Sequence, residues 1–287
     1  MSVLTQEEFT KLSGLADAIQ DETKRKNALE LLQRMTEVIE GGNDKVITWM
    51  PTQVKILQAL SNMDNIQADN PKDVTAGALV AGGRVLKNGT QVIPLMFYSS
   101  RSLWDPNKDN AVKLCNSPDA KMGWKYGNCN SCAFGKSEEE GKAPPCNKEQ
   151  TFLVIAEDLS DVYRVTFAKS QYRSGLDWGK EITASRTDPY KRVFSLHGEA
   201  LEKNKKIKVI KAKLEDHRQL VASTDVLAFL KALHRKNVDD RKAYLETYHK
   251  TTSERLIAIT NESHGALEYS PEESHEVVSS DTPAYRL

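Results

Sequence analysis

At residues 77–99 the chain reads Gly77-Ala-Leu-Val-Ala-Gly-Gly-Arg-Val-Leu86, then Lys87-Asn-Gly89, then Thr90-Gln-Val-Ile-Pro-Leu-Met-Phe-Tyr-Ser99. The two apolar runs have the composition of β-strands, and Asn-Gly between such runs is a strong signal for a hairpin turn. The sequence therefore predicts a pair of strands joined at residues 88–89.

Further short apolar runs follow on the C-terminal side of this pair. They are Thr151–Ala156, Asp161–Ala168, Arg192–Leu196 and Lys206–Leu214. Five or six short strands without a long helix between them are typical of a small, partly open barrel rather than of βαβ units. We expect Phe152, Phe167 and Phe194 to lie in its core, because they occupy apolar strand positions.

Helical patterns flank the strands on both sides. Residues 5–40 repeat apolar side chains at helical spacing, and Thr5 with Glu8 has the signature of a capping box. The polar stretch from Gln20 to Asn27 favours a division into a helical hairpin. Helical patterning returns at Thr224–Leu233 and again after Asn237, so C-terminal helices are expected.

The four cysteines of the chain fall close together, at Cys115, Cys129, Cys132 and Cys146. The inner two form a Cys-x-x-Cys pair, and thirteen residues separate each outer cysteine from that pair. Such a turn with two flanking cysteines can supply four thiolates to a structural zinc ion, which leaves no coordination position open. We expect these residues to hold one Zn²⁺. Two disulfides, a redox-active pair and free thiols are the alternatives.

Aromatic and basic residues interleave around the expected barrel and the cysteine segment. Single-stranded nucleic acid is bound by such mixtures, because bases stack on the rings and cations follow the phosphates. Bases in a duplex are already stacked, so single strands are the expected ligand. The residues that we predict to contact the nucleic acid are Tyr98, Arg101, Trp104, Lys125, Tyr126, Lys169, Tyr172 and Arg173.

Charge is distributed unevenly, although the formal net charge of the whole chain is zero. Residues 261–287 contain six acids and one arginine, and the rest of the chain is correspondingly basic. A basic body is suited to binding a polyanion. An acidic tail can compete with that polyanion for the basic surface, or it can recruit protein partners. The alternative is an ordinary solvated tail. No apolar stretch approaches the roughly 20 residues of a membrane span, and the N-terminus has no signal-peptide pattern, which favours the cytoplasm.

Motifs of catalysis are missing from the sequence. It contains no Gly-x-x-x-x-Gly-Lys-Ser/Thr loop, no His-Glu-x-x-His and no Gly-x-Ser-x-Gly. The run Glu138–Glu140 is typical of a solvated surface. We therefore expect a protein that is not an enzyme; a nuclease would require clustered acids.

The cysteine pattern, the flanking runs Val92–Tyr98 and Val162–Phe167 and the acidic tail together carry a family resemblance. The chain resembles the zinc-containing single-stranded DNA-binding proteins of tailed phages, of the T-even helix-destabilising type. This resemblance implies an oligonucleotide/oligosaccharide-binding (OB) barrel with a basic cleft, a zinc-bound subdomain as one wall, and an acidic tail that recruits replication enzymes. The chain departs from the T-even pattern, in which a histidine joins three cysteines, and its N-terminal helices have no counterpart there.

Together these features predict an α+β protein with a central OB-like antiparallel β-barrel and an inserted zinc ribbon, flanked by N- and C-terminal helices. The expected divisions are an N-terminal helical segment (1–72), the barrel (73–218) with its zinc insertion (111–150), C-terminal helices (219–260) and a disordered acidic tail (261–287).

The expected function is sequence-tolerant binding of single-stranded DNA in phage DNA replication or recombination, in the host-cell cytoplasm. Replication proteins or a polymerase would be partners of the tail, and no membrane is involved. The alternative is a zinc-ribbon protein that binds RNA polymerase and regulates transcription.

Overall fold

The computed structural model describes residues 4–265, apart from 37–38, 42–44, 48–50, 60, 62, 69, 106–111, 138–142, 203 and 215–222. These residues form a mixed α+β fold with four α-helices and a large sheet that curls into a half-barrel and is not closed. Most of the predicted acidic tail, from residue 266 onward, lies outside the described residues.

The N-terminal helices are α1 (Gln6–Asp17) and α2 (Glu22–Thr36). The Thr5 hydroxyl accepts a hydrogen bond from the Glu8 amide at 3.2 Å, and the Glu8 carboxylate accepts one from the Thr5 amide at 2.8 Å. This reciprocal pair satisfies two amides that the first helical turn leaves without partners. The predicted capping box and helical hairpin are confirmed.

The described residues contain thirteen strands. They are β1 (Ile39–Gly41), β2 (Lys45–Ile47), β3 (Thr52–Ile56), β4 (Leu79–Ala81), β5 (Arg84–Leu86), β6 (Thr90–Trp104), β7 (Lys113–Ser117), β8 (Met122–Gly123), β9 (Gly127–Asn128), β10 (Asn147–Ala156), β11 (Val162–Ala168), β12 (Phe194–Leu201) and β13 (Asn204–Lys213). The main sheet has the order β13-β12-β6-β10-β11-β3-β4-β5, and β7 pairs with the far end of β6. Its strand pairs are antiparallel except β11 with β3. The segment 1–72, predicted to be helical, thus also contributes β3 to the sheet.

The predicted hairpin at Asn88 and Gly89 is wrong. A turn is present there, but β5 lies at one edge of the sheet while β6 lies near its middle. The tight hairpin instead joins β4 to β5 at Gly82 and Gly83, whose φ angles are 56° and 80°. A two-residue hairpin turn of type I′ requires positive φ at both positions, which only glycine adopts readily.

Two more helices complete the fold, and the sequence did not predict the first of them. Helix α3 (Tyr172–Ala184) lies between β11 and β12 and places Trp178 in the core with 2% of its surface exposed. Helix α4 (Thr224–Gly265) is one continuous helix of 42 residues where separate C-terminal helices were expected. None of the described helices is both long and apolar enough to cross a lipid bilayer.

Both faces of the central strand β10 are buried, because alternate residues point to opposite faces of a sheet. Leu153 and Ile155 pack with α1, α2 and the first turns of α4. Phe152 and Val154 pack in the second core, which contains Trp178 of α3. Phe152, Phe167 and Phe194 all belong to that second core, so their predicted burial is confirmed.

The outer edge of β13 faces the residues that follow β3 and β11, and it pairs with no strand among the described residues. The side-chain amide of Gln58 donates to the Lys208 carbonyl at 2.8 Å and accepts from the Lys208 amide at 2.9 Å. The Gln171 side chain accepts from the Ile210 amide at 3.4 Å. Side-chain amides thus satisfy backbone groups at the outer edge of β13 that a closed barrel would pair with another strand.

Candidate nucleic-acid and metal site

The four cysteines converge on one cavity at the far end of β6. We call residues 112–146 the cysteine loop; Cys115 lies in β7, Cys129 and Cys132 follow β9, and Cys146 directly precedes β10. All four line the cavity, together with Arg101 of β6. The Cys-x-x-Cys pair and the two distant cysteines therefore line the same cavity.

Two of the thiols lie against the backbone of β8. A Cβ atom at Gly123 would lie 2.7 Å from the Cys115 sulfur and 3.8 Å from the Cys129 sulfur. The first distance is shorter than any tolerated contact, so glycine is required at this position for both thiols to approach.

Main-chain hydrogen bonds fix the backbone around the other cysteines. The Cys129 amide donates to the Lys121 carbonyl at 2.8 Å, and the Cys146 amide donates to the Phe134 carbonyl at 2.9 Å. These main-chain hydrogen bonds hold the cysteine loop together without a metal ion.

All four cysteines are free thiols. Burial raises the pKa of the Cys129 thiol, and burial together with the neighbouring thiols raises the pKa of Cys146 to about 11. The Arg101 guanidinium acts in the opposite direction on the pKa of both. Within the part of the chain that the structure describes, no group of three or more cysteine, histidine or acidic side chains has the arrangement of metal ligands, and a zinc ribbon is not shown.

Helix α4 holds the cysteine loop from the other side. The Tyr248 hydroxyl donates to the Asn116 carbonyl at 2.6 Å, and Arg241 donates to the Pro118 carbonyl at 2.6 Å. His249 lies 2.9 Å from the Asp119 carboxylate. Since the first turns of α4 pack in the sheet core, this one helix ties the loop to the body of the protein.

Two groups at this contact, Asp119 and Tyr248, have pKa values shifted from their ordinary ones. Burial raises the pKa of Asp119, but hydrogen bonds from the Lys121 and Met122 amides outweigh it, and the pKa is lowered overall. Burial raises the pKa of the Tyr248 phenol to about 12. Asp119 therefore stays ionised and Tyr248 stays a donor near neutral pH.

The predicted contacts on β6 do not share one surface. Arg101 points into the thiol cavity and donates to the Cys129 carbonyl at 3.1 Å. Tyr98 faces α4, where the Arg241 guanidinium carbon lies 3.4 Å from the centre of its ring. Trp104 donates to the Ser102 hydroxyl at 3.0 Å, and the Lys113 ammonium lies 4.9 Å from its ring. One face of Tyr98 is thus already covered.

Lys169, Tyr172 and Arg173 lie where β11 passes into α3. Lys169 and Arg173 are exposed, and Arg173 pairs with Asp177 at 3.2 Å. The end of β11 is at the same end of the sheet as Arg101, because Ala168 pairs with Glu149, which pairs with Ser100. This group therefore lies at the same end of the sheet as the cysteine loop.

The other predicted contacts, Lys125 and Tyr126, occupy the turn between β8 and β9. Tyr126 is 38% exposed, and the Lys125 ammonium lies 5.2 Å from the centre of its ring. The sequence analysis missed Phe134, which is 37% exposed and packs against Tyr126 with tilted rings whose centres are 4.9 Å apart. Its position two residues after the Cys-x-x-Cys pair was the sequence feature that could have identified Phe134 as a site residue.

The described part of the cysteine loop is strongly basic. Its exposed lysines are Lys113, Lys121, Lys125 and Lys136. Asp119 is the one acid in residues 112–137, and its side chain is paired with His249. The run Glu138–Glu140 lies outside the described residues.

No protein-family model, curated protein or solved structure matches this chain.

Proposed function

We propose that this protein binds single-stranded DNA without sequence preference and takes no part in catalysis. The observation that carries the proposal is the combination of exposed lysines and exposed aromatic rings on the cysteine loop. Lysines neutralise phosphates, and rings stack on unpaired bases whatever their identity. A duplex offers no free base faces to such rings, so it is the weaker ligand.

Zinc is part of this proposal, with Cys115, Cys129, Cys132 and Cys146 as its ligands. The donor set suits the ion, since four thiols line one cavity and Gly123 admits two of them against the backbone. A tetrahedral zinc thiolate centre would supply a fixed link between β7, the β8–β9 ribbon and the start of β10. Its role would be structural, as in a zinc ribbon inserted into an OB-like barrel.

The fold supports the same proposal through its open, curled sheet. An OB-like barrel binds a strand across its face, and the cysteine loop with the β11–α3 junction would form the walls of the groove. In this proposal the acidic residues 261–287 recruit replication proteins, and the biological setting is phage DNA replication or recombination.

A fluorescence titration tests the proposal, using labelled oligo(dT) and a duplex of equal length at two salt concentrations. We expect tight binding of oligo(dT) at low salt, a marked loss at high salt, and weaker binding of the duplex. A matched variant, Cys129→Ser with Cys132→Ser, should lose zinc and bind more weakly because the loop loses order.

Absence of oligo(dT) binding at low salt would refute the function. Co-purification with RNA polymerase in that case would favour the transcriptional alternative. Wild-type metal content in the double variant would show that the ligand assignment is wrong.

A further inference from the structure

We infer that Tyr126 and Phe134 together form the base-stacking step of the site, a subsite for unpaired nucleobases. This inference rests on the proposed single-strand binding and specifies which rings provide it. Sequence patterns pointed instead to several aromatic residues spread over β6, the cysteine loop and α3.

The two rings form a continuous exposed aromatic surface. Their centres are 4.9 Å apart with 44° between the ring planes, and both residues are more than one-third exposed. Large aromatic side chains are usually buried against other side chains in a folded protein. Two adjacent rings left open on one loop therefore mark a surface that has a ligand.

Other aromatic candidates near the loop already have cationic partners. The Arg241 guanidinium covers Tyr98 at 3.4 Å, and Arg255 lies 4.5 Å from the ring of Trp124. Trp104 has Lys113 beside its ring. A base would have to displace these cations before it could stack. Lys125 likewise lies 5.2 Å from the centre of the Tyr126 ring, whereas among the described residues no cation lies over the ring of Phe134.

The backbone beneath the two rings is fixed. The Phe134 carbonyl accepts the Cys146 amide, and a Cβ at the following Gly135 would lie 2.7 Å from the Arg101 guanidinium and 3.1 Å from the Cys129 carbonyl. Tyr126 precedes Gly127, which holds the β8–β9 turn at a φ of 68°. Both rings thus extend from tightly packed backbone at the thiol cavity, so little backbone entropy is lost when a base stacks on them.

Exposed cations flank the pair on both sides. Lys125 precedes Tyr126 with its ammonium 5.2 Å from the ring, and the exposed Lys136 follows Phe134 by two residues. These positions suit the phosphates on either side of a stacked nucleotide. The ligand class is accordingly a single-stranded oligonucleotide recognised by base faces and backbone charge.

The test compares Tyr126→Ala and Phe134→Ala with Tyr244→Ala, a control that removes a tyrosine 52% exposed on α4. We expect each loop variant to weaken oligo(dT) binding about tenfold at fixed salt, because one stacked base is lost. The salt dependence of binding should stay unchanged, and Tyr244→Ala should bind like the wild type.

An abasic oligonucleotide of the same length separates stacking from phosphate contact. Wild type and loop variants should bind it equally, since it has no bases to stack. Tyr126→Phe should retain affinity, while Phe134→Leu, which keeps an apolar side chain, should lose it; equal zinc content and circular dichroism spectra verify folding.

If wild-type protein binds oligo(dT) and both alanine variants bind it equally well, the stacking step is refuted while the function stands. The stacking step is also refuted, and the function stands, if the alanine variants lose as much affinity for the abasic probe as they lose for oligo(dT). Absence of wild-type binding would overturn the function and the stacking step together.

Discussion

The Arg101 guanidinium donates a hydrogen bond to the Cys129 carbonyl at 3.1 Å and lines the cavity that all four thiols share. Its Nε atom is buried and makes no hydrogen bond to any described residue. Four thiolates around Zn²⁺ would carry a net negative charge, which the half-buried Arg101 guanidinium would offset. Arg101 therefore suits a supporting role at the metal better than the DNA contact that its place in the sequence predicts.

We expect Arg101→Gln to release zinc about tenfold faster than wild type to a colorimetric chelator, since groups around the ligands tune metal affinity. Arg173→Gln, which removes an exposed arginine paired with Asp177, is the control and should release zinc at the wild-type rate. The contrary result is zinc release at the wild-type rate in Arg101→Gln together with a weaker salt dependence of oligo(dT) binding. That result would contradict the role at the metal and support Arg101 as a phosphate contact.

Gly123→Ala should displace the Cys115 thiol, because the added methyl group would lie 2.7 Å from its sulfur. Overpacking of this kind costs about 1–3 kcal/mol, and here the strain would fall on the cysteines of the proposed zinc site. We expect a lower zinc content per chain by elemental analysis. Gly14→Ala in α1 meets nothing within 4 Å and should keep the wild-type content; full zinc occupancy in both variants would contradict this account of Gly123.

Gln58→Ala should weaken the contact between the segment after β3 and the outer edge of β13. It removes both hydrogen bonds to Lys208 and leaves that residue's amide and carbonyl without their partner. We expect the free energy of unfolding in urea to fall by about 2 kcal/mol. Gln33→Ala, at an exposed position of α2, is the control. Equal stabilities would show that water replaces Gln58 at no cost.

Tyr248→Phe should weaken the contact between α4 and the cysteine loop. The lost hydroxyl donates to the Asn116 carbonyl at 2.6 Å and lies 3.3 Å from the Met122 carbonyl. Because burial raises the Tyr248 pKa from 10.0 to about 12, its stabilising contribution is complete below pH 10 and is lost as the pH rises towards 12.

Absorbance titration of tyrosinate should therefore show one late-titrating phenol fewer in Tyr248→Phe than in wild type. Hydrogen exchange in the cysteine loop should be faster in the variant at neutral pH. Loss of a phenol that titrates near pH 10, with the late-titrating phenols unchanged, would mean that Tyr248 is accessible to solvent.

The sequence predicted features that depend on local patterns. Apolar runs located the strands β4–β6 and β10–β13 and the buried Phe152, but not β1–β3 or β7–β9, and the four clustered cysteines line one cavity. These signals are local because a strand's period and a Cys-x-x-Cys turn are set within a few residues.

Features that depend on tertiary contacts were missed. Helix α3 contains Gly175 and Gly179, which weaken a helical pattern; a Cβ at Gly175 would lie 2.7 Å from Phe167, so the glycine is required for close packing. Helix α4 continues through Asn237 because that side chain is buried and donates to the Leu233 carbonyl at 2.8 Å. The contacts of Tyr248 with the cysteine loop join residues more than 100 positions apart, and no local pattern encodes them.

The most direct test of lysine-mediated single-strand binding by the cysteine loop is the salt dependence of oligo(dT) affinity in wild type and in a triple variant. The variant replaces Lys121, Lys125 and Lys136 by glutamine, and Lys26→Gln on α2 is the control. Each phosphate contact contributes a slope of about −0.7 in a plot of log affinity against log salt for single strands. We predict that the triple variant loses about two units of slope while Lys26→Gln matches the wild type. Equal slopes in wild type and triple variant would contradict the account, because the strand would then bind elsewhere on the protein.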